Sequence, residues 1–268
     1  NITVDNTPPH IYDFKSNDSD NVSRNDVMLN FIVNVTDSNT AYIEFGNSSL
    51  FNMSLLSQTG ENSTWFGIRN LSELGCVNEG ICTNKAIAYD QAGNINAARY
   101  NITVDNTPPA IFNLRSNDTD NVSRNDVVLN FTVNVTDNNI AYVEFGNNTL
   151  YNMSLSSQSG ENSTWSSVIN ASELGCLSDG LCTIKAIAYD LAGNMNITRY
   201  NITVDNTPPG IFNLRSNDSD NVSRSDALLN FTVNVSDANV AYVEFGNNTL
   251  FNMSLLSPVS YTHLRAHE

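Results

Sequence analysis

LNFTVNVTD, residues 129–137, decides the fold. Leu129, Phe131, Val133 and Val135 alternate with Asn130, Thr132 and Asn134, the period of two that a strand shows when one face is buried and the other wet. LNFIVNVTD at 29–37 and LNFTVNVSD at 229–237 carry the same alternation. The strand is therefore one element of a repeat. NITVDNTPP opens at Asn1, Asn101 and Asn201, EFGN at Glu44, Glu144 and Glu244, and ENSTW at Glu61 and Glu161, a constant period of 100 residues. That is the size of one small β-sandwich and longer than a solenoid unit.

Working outward through the second copy, AIFNLRS after Pro108 and Pro109 reads as a first strand, because proline belongs at a strand start or edge. The loop NDTDNVSRND follows, packed with turn formers. AYVEFG alternates through Ala141, Val143 and Phe145, and a GNNT turn returns the chain as LYNMSL. STWSSVINASEL carries Trp165, placed between the sheets as Trp65 is in the first copy. CTIKAIAYD alternates through Cys182, Ile184, Ala186 and Ala188, DLAGN turns at Gly193, and NITRYNITVDN is the last strand. No stretch sustains a helical period. The sequence predicts an all-β chain of tandem antiparallel sandwiches, each of seven or so short strands in two sheets.

The repeat also sets the boundaries. Residues 1–6 read as the final strand of an upstream repeat, 7–106 and 107–206 as whole repeats, and 207–257 as a truncated one. The truncated copy is expected not to close its sandwich and to leave apolar faces exposed. Residues 258–268, PVSYTHLRAHE, match nothing in the other copies and resemble a translated sequencing adaptor, so they are set apart from the fold. His263 and His267 lie in that tail. His10, replaced by Ala110 and Gly210 in the other copies, reads as a variable strand-edge residue.

Composition narrows the function. The 268 residues carry 28 acidic and 12 basic groups, a formal net charge of −16, which repels nucleic-acid backbones and anionic lipid. No segment reaches the roughly 20 apolar residues of a membrane span. No set of nucleophile, histidine and acid, phosphate loop or fixed metal motif occurs, so no enzyme activity is expected.

AYDQAGN and AYDLAGN, each followed by a final strand and VDNTPP, resemble the immunoglobulin-like repeats of large bacterial and archaeal surface proteins and adhesins, over Asn1 to Ser257. The resemblance implies tandem immunoglobulin-like sandwiches, an extracellular setting, and a structural stalk or adhesive array whose partners are a surface ligand or neighbouring repeats. The alternative is an accessory carbohydrate- or protein-binding module attached to a secreted enzyme. The loops SNDSDNVS and SNDTDNVS are as alike as the cores, which argues for spacing over selective recognition. The strand of Leu129 and Phe131 has no cysteine, so the inter-sheet disulfide of antibody domains is absent.

Cys76 with Cys82 and Cys176 with Cys182 form one close pair per whole repeat, with Gly80 and Gly180 between them to let the chain reverse. This favours a local disulfide over two reduced thiols, and over zinc, which needs four ligands. A disulfide in turn favours an oxidising exterior. Sequons are dense, including Asn121, Asn130, Asn134, Asn147, Asn152 and Asn162, and glycosylation is weighed against chance in so Asn-, Ser- and Thr-rich a chain.

Calcium is the one cofactor considered. In an immunoglobulin-like topology Asp118, Asp120 and Asp126 would stand at the pole where the chain leaves through Asp205, facing Asp237 of the next repeat. Asp18, Asp20, Asp26, Asp105, Asp137 and Asp190 would be their equivalents at the first junction. The competing reading is that these residues only make turns, with Arg24 and Arg124 as salt-bridge partners. The lack of a fixed calcium spacing favours it.

Overall fold

The computed structural model describes residues 4–225, 227–257 and 262–266. The first repeat runs β1 (His10–Ser16), β2 (Val22–Ser23), β3 (Met28–Thr36), β4 (Thr40–Gly46), β5 (Leu50–Asn52), β6 (Ser54–Thr59), β7 (Asn62–Asn70), β8 (Gly80–Asp90) and β9 (Ile95–Val104). They form two sheets, β1-β3-β7-β6 and β2-β9-β8-β4-β5.

The second repeat reproduces this with β10 (Ala110–Ser116), β11 (Val122–Ser123), β12 (Val128–Thr136), β13 (Ile140–Gly146), β14 (Leu150–Asn152), β15 (Ser154–Ser159), β16 (Asn162–Asn170), β17 (Gly180–Asp190) and β18 (Met195–Val204). Its sheets are β10-β12-β16-β15 and β11-β18-β17-β13-β14. No helix occurs among the described residues.

The alternation becomes the core. Leu129, Phe131, Val133 and Val135 from β12 meet Val143 and Phe145 from β13 and Ile184, Ala186 and Ala188 from β17, all buried. Phe131 and Phe145 pack at 5.5 Å between ring centres across the two sheets. Trp65 and Trp165 lie inside as expected, each indole Nε1 donating to a serine hydroxyl, Ser63 or Ser163, at 2.9 Å. Tyr200 reaches from β18 to the loop after β10, its hydroxyl hydrogen-bonded to Asn121 and 3.3 Å from Ser116 Oγ. This ties a loop of one sheet to a strand of the other. Asn121 sits at φ 61°, which its side chain tolerates better than most.

Two details differ from the sequence expectation. LYNMSL is not one strand: β14 stays in the second sheet and β15 crosses to the first, with buried Met153 between them. The other addition is a parallel pairing, Val122 with Thr203 and Ser123 with Val204, inside what reads as pure loop.

The third copy comprises β19 (Gly210–Ser216), β20 (Phe231–Ser236), β21 (Glu244–Gly246), β22 (Leu250–Ser257) and β23 (Thr262–Ala266). It forms one five-stranded sheet, β19-β20-β23-β22-β21. Ile211 and Leu214 are 63% and 59% exposed, whereas their counterparts Ile111 and Leu114 are 9% and 6%. Among the described residues the third copy has no second sheet to cover them. The tail, expected to stand apart, supplies β23 between β20 and β22, the slot β16 fills in the second repeat. Residues 1–3, 258–261 and 267–268 of the expected upstream strand and tail lie outside the described residues.

Candidate functional site

The segment VDNTPP passes the chain from one repeat to the next, with five residues between Val104 at the end of β9 and Ala110 at the start of β10. Val104 ends β9, and the Asp105 amide still donates to Ser23 of the first repeat. The rest of Asp105 belongs to the second repeat. Asn139 Nδ2 donates to its Oδ2 at 2.8 Å and Asn194 Nδ2 to its carbonyl at 3.0 Å. Asn106 then turns back: its Oδ1 accepts from the Asn25 amide at 2.9 Å, and its amide donates to Glu79 at 3.0 Å. Each side of the joint thus grips one linker residue.

The same bonds recur at the other joints. Asn39 and Asn94 hold Asp5 at 3.2 Å each, Asn239 holds Asp205 at 2.6 Å, and Asn125 and Asp179 hold Asn206 at 3.0 and 2.8 Å. The Thr207 hydroxyl and Asn206 donors hold the Asp179 carboxyl below its usual range.

Around Asp105 the carboxylates converge. One oxygen from each of Asp105, Asp137 and Asp190 lies within 4.8 Å of the others, with Asp105 and Asp190 buried and Asp137 half-buried. Asp190 closes the D-x-AGN turn, its two oxygens accepting from the amide and side chain of Asn194 at 2.7 and 2.8 Å. Asp137 Oδ1 accepts from the Asn139 amide at 2.6 Å. Burial, and then the neighbouring carboxylates, push the Asp137 carboxyl above its usual range. Burial does the same to Asp190 against the lowering effect of Asn194. Asp5, Asp37 and Asp90 form an equivalent group in the first repeat. Burial raises the Asp90 carboxyl too, but its Asn94 and backbone donors outweigh this and leave it lowered.

The sequence-predicted junction set divides accordingly. Asp105, Asp137 and Asp190 come together, and Asp205 and Asp237 share Asn239 as a common donor. Asp18, Asp20, Asp118 and Asp120 do not join them. They turn the loops after β1 and β10: the Asp20 and Asp120 carboxylates each accept from the amide two residues on at 3.0 Å, Val22 or Val122, and the backbone amides of Asp18 and Asp118 donate to the Ser16 and Ser116 hydroxyl oxygens. Asp26 and Asp126 pair with Arg24 and Arg124 at 3.0 and 3.1 Å. For these residues the turn chemistry of a short polar side chain is the whole account.

Asn139, Asn194 and the Asp5 group carried no signal of their own in the sequence. Their clue was the D-x-N spacing and the D-x-AGN motif, legible as turns rather than as grips on a linker.

Cys76–Cys82 and Cys176–Cys182 are disulfides with Cα separations of 5.7 and 5.8 Å. Each lies beside the strand that leads into the linker, Cys82 opposite Ile102 and Cys182 opposite Ile202, and the loop it closes carries Glu79 or Asp179. Of the sequon asparagines, Asn130, Asn152 and Asn162 are exposed. Asn121 accepts from Tyr200, Asn134 accepts from Thr164 at 3.3 Å, and Asn147 Nδ2 lies 3.1 Å from Cys182 Sγ.

No family model and no curated protein matches the chain. Among solved structures it is similar to a tetra-tandem repeat in the extending region of a large adhesion protein, at 19% identity and TM-score 0.30 over 93% of this chain and 64% of that one. It is also similar to a 1.5-MDa bacterial ice-binding adhesin described for host cell surface retention, at 15% identity and TM-score 0.41 over 98% and 88%. A chimeric titin tandem resembles it at 13% identity and TM-score 0.26 over 74% of this chain and all of that one. Likenesses this distant leave function to the chain's own residues. Those residues build tandem all-β, immunoglobulin-like sandwiches, repeated with the joint between them.

Proposed function

We propose that this chain is a spacer segment of an extracellular array, an adhesive or structural stalk built by copying one sandwich and one joint. The carrying observation is the joint itself. Asp105 and Asn106 are held by side chains from opposite repeats, so the linker has few free torsions left to bend. Disulfides beside each exit favour an oxidising exterior.

The three joint carboxylates supply hard oxygen ligands with no histidine or thiol among them, which suits Ca²⁺ over zinc. A bound ion would neutralise carboxylates that burial already disfavours and would stiffen the linker. Calorimetry and thermal melting of the whole chain, with Ca²⁺ and with EDTA, test this. Binding with a raised melting temperature is expected, and its loss in Asp137→Asn. An unchanged melt and no heat would leave the joint as a hydrogen-bonded one only.

A further inference from the structure

The two disulfides span the same sequence separation, but what lies against them differs. Over residues 82–90 and 182–190 the two repeats are identical except at one place, where Asn84 stands for Ile184. Both side chains are fully buried. Ile184 belongs to the apolar core of the second repeat. Asn84 puts an amide in that place: its Oδ1 lies 3.6 Å from Cys76 Sγ, and its Nδ2 has no partner.

A disulfide sulfur carries no proton, so Cys76 offers the Asn84 carbonyl nothing to accept. A thiol carries one. Reduction would therefore give a buried oxygen the donor it lacks, at a separation already in place. The other sulfur does not separate the repeats. Cys82 Sγ accepts from Asn47 Nδ2 at 3.2 Å and Cys182 Sγ from Asn147 Nδ2 at 3.1 Å, and a sulfur accepts in either redox state.

We propose that Cys76–Cys82 is a redox-responsive site for small thiols and dithiols, whereas Cys176–Cys182 is a structural bond. In the exchange a thiolate attacks one sulfur, the S–S bond breaks and the other sulfur leaves; a second thiol then completes the reduction. The reductant is oxidised to its own disulfide. The protein takes up a pair of electrons and a pair of protons, one proton on Cys76 Sγ facing Asn84 Oδ1 and the other on Cys82 Sγ. Both cysteines are buried, but Val77 and Ile81 beside them are 57% and 76% exposed, so access needs only the short loop between them to lift.

Glu79 stands on that loop. Its carboxylate accepts from the Asn106 amide at 3.0 and 3.2 Å, and Asn25 Nδ2 donates to the Val77 carbonyl at 3.4 Å. Opening the bond frees the loop and with it one grip on the first linker, while Asp179 keeps its hold on Asn206 in the second. The difference in reducibility is independent of the spacer reading; its effect on the joint rests on that reading.

A weaker fold does not by itself produce the difference. Any cost of Asn84 that is shared by disulfide and dithiol cancels from the redox equilibrium, provided that the repeat is folded in both. Only an interaction present in one redox state moves it.

The test uses the whole chain with both disulfides formed. It is equilibrated at constant pH against mixtures of reduced and oxidised dithiothreitol, alkylated, and read peptide by peptide by mass spectrometry. Cys76–Cys82 should be half reduced at a reduced-to-oxidised ratio about tenfold lower than Cys176–Cys182, which corresponds to about 30 mV. Asn84→Ile should bring the two together, and Ile184→Asn should move the second bond to match the first. Amide exchange followed by NMR should show Asn106 losing protection when the first bond is reduced, with the amides of β3 still protected. Equal reducibility in the parent would overturn the inference. So would a difference that Asn84→Ile retains, which would place the cause in residues 77–81, where the loops also differ. Loss of β3 protection on reduction would overturn it as well, since unfolding would then drive the reaction. An Asn106 amide that reduction leaves unchanged would overturn the link to the joint while the redox difference stood.

Discussion

Single residues distinguish repeats that otherwise look alike. Asn84 occupies in β8 the place of Ile184 in β17, and both are fully buried. Its Oδ1 lies 3.6 Å from Cys76 Sγ, a disulfide sulfur with no proton to give, and its Nδ2 has no partner. Turning the amide over satisfies one atom only weakly and orphans the other. Asn84→Ile should therefore stabilise the first repeat by about 2 kcal/mol in denaturant unfolding, since it removes an unpaired buried polar group; a loss of stability would contradict this. Asp18 is one pH-sensitive residue. Burial, and then the Asp20 carboxyl beside it, raise it to about 6, and its Oδ2 has no hydrogen-bond partner. A raised carboxyl contributes stability that is complete below the unfolded value of about 4 and lost as pH rises through the folded value. Asp18→Asn should accordingly raise the melting temperature near neutral pH and change it little below about pH 4. Equal gains at both would mean that charge is not the cause.

At the scale of elements, alternation carried most of the prediction. β12 and β17 were legible because one face of each is buried against the other sheet, so apolar and polar residues must alternate along them. β15 was not legible as a separate strand because every residue in it is exposed, leaving no burial pattern to read. β11, two residues long, is too short to have a period. For the site, Asp105 and Asp137 were named from the sequence, whereas Asn139 and Asn194 were not. A turn-forming asparagine looks the same whether or not its amide reaches a linker. Cys176 and Cys182 belong to this scale as well, since the loop they close carries the Asp179 grip on Asn206. Cys176→Ala with Cys182→Ala should cost the second repeat about 2 kcal/mol by the loop-closure argument and leave the first unchanged, as denaturant unfolding would show. A loss shared by both repeats would mean that the sandwiches unfold as one unit.

Across the whole molecule, the decisive property is that each joint is the same joint. Asn39, Asn139 and Asn239 each reach the aspartate that precedes their repeat, so successive sandwiches should be set at one fixed angle and the array should be straight or evenly coiled. Spin labels at Gln58→Cys and Gln158→Cys, exposed equivalents on β6 and β15, measure this directly by double electron–electron resonance. A single narrow distance distribution is expected for the parent chain, broadening when Asn139→Ala and Asn194→Ala release Asp105. A parent distribution already as broad as the variant's would contradict a fixed joint, and with it the spacer built by repetition.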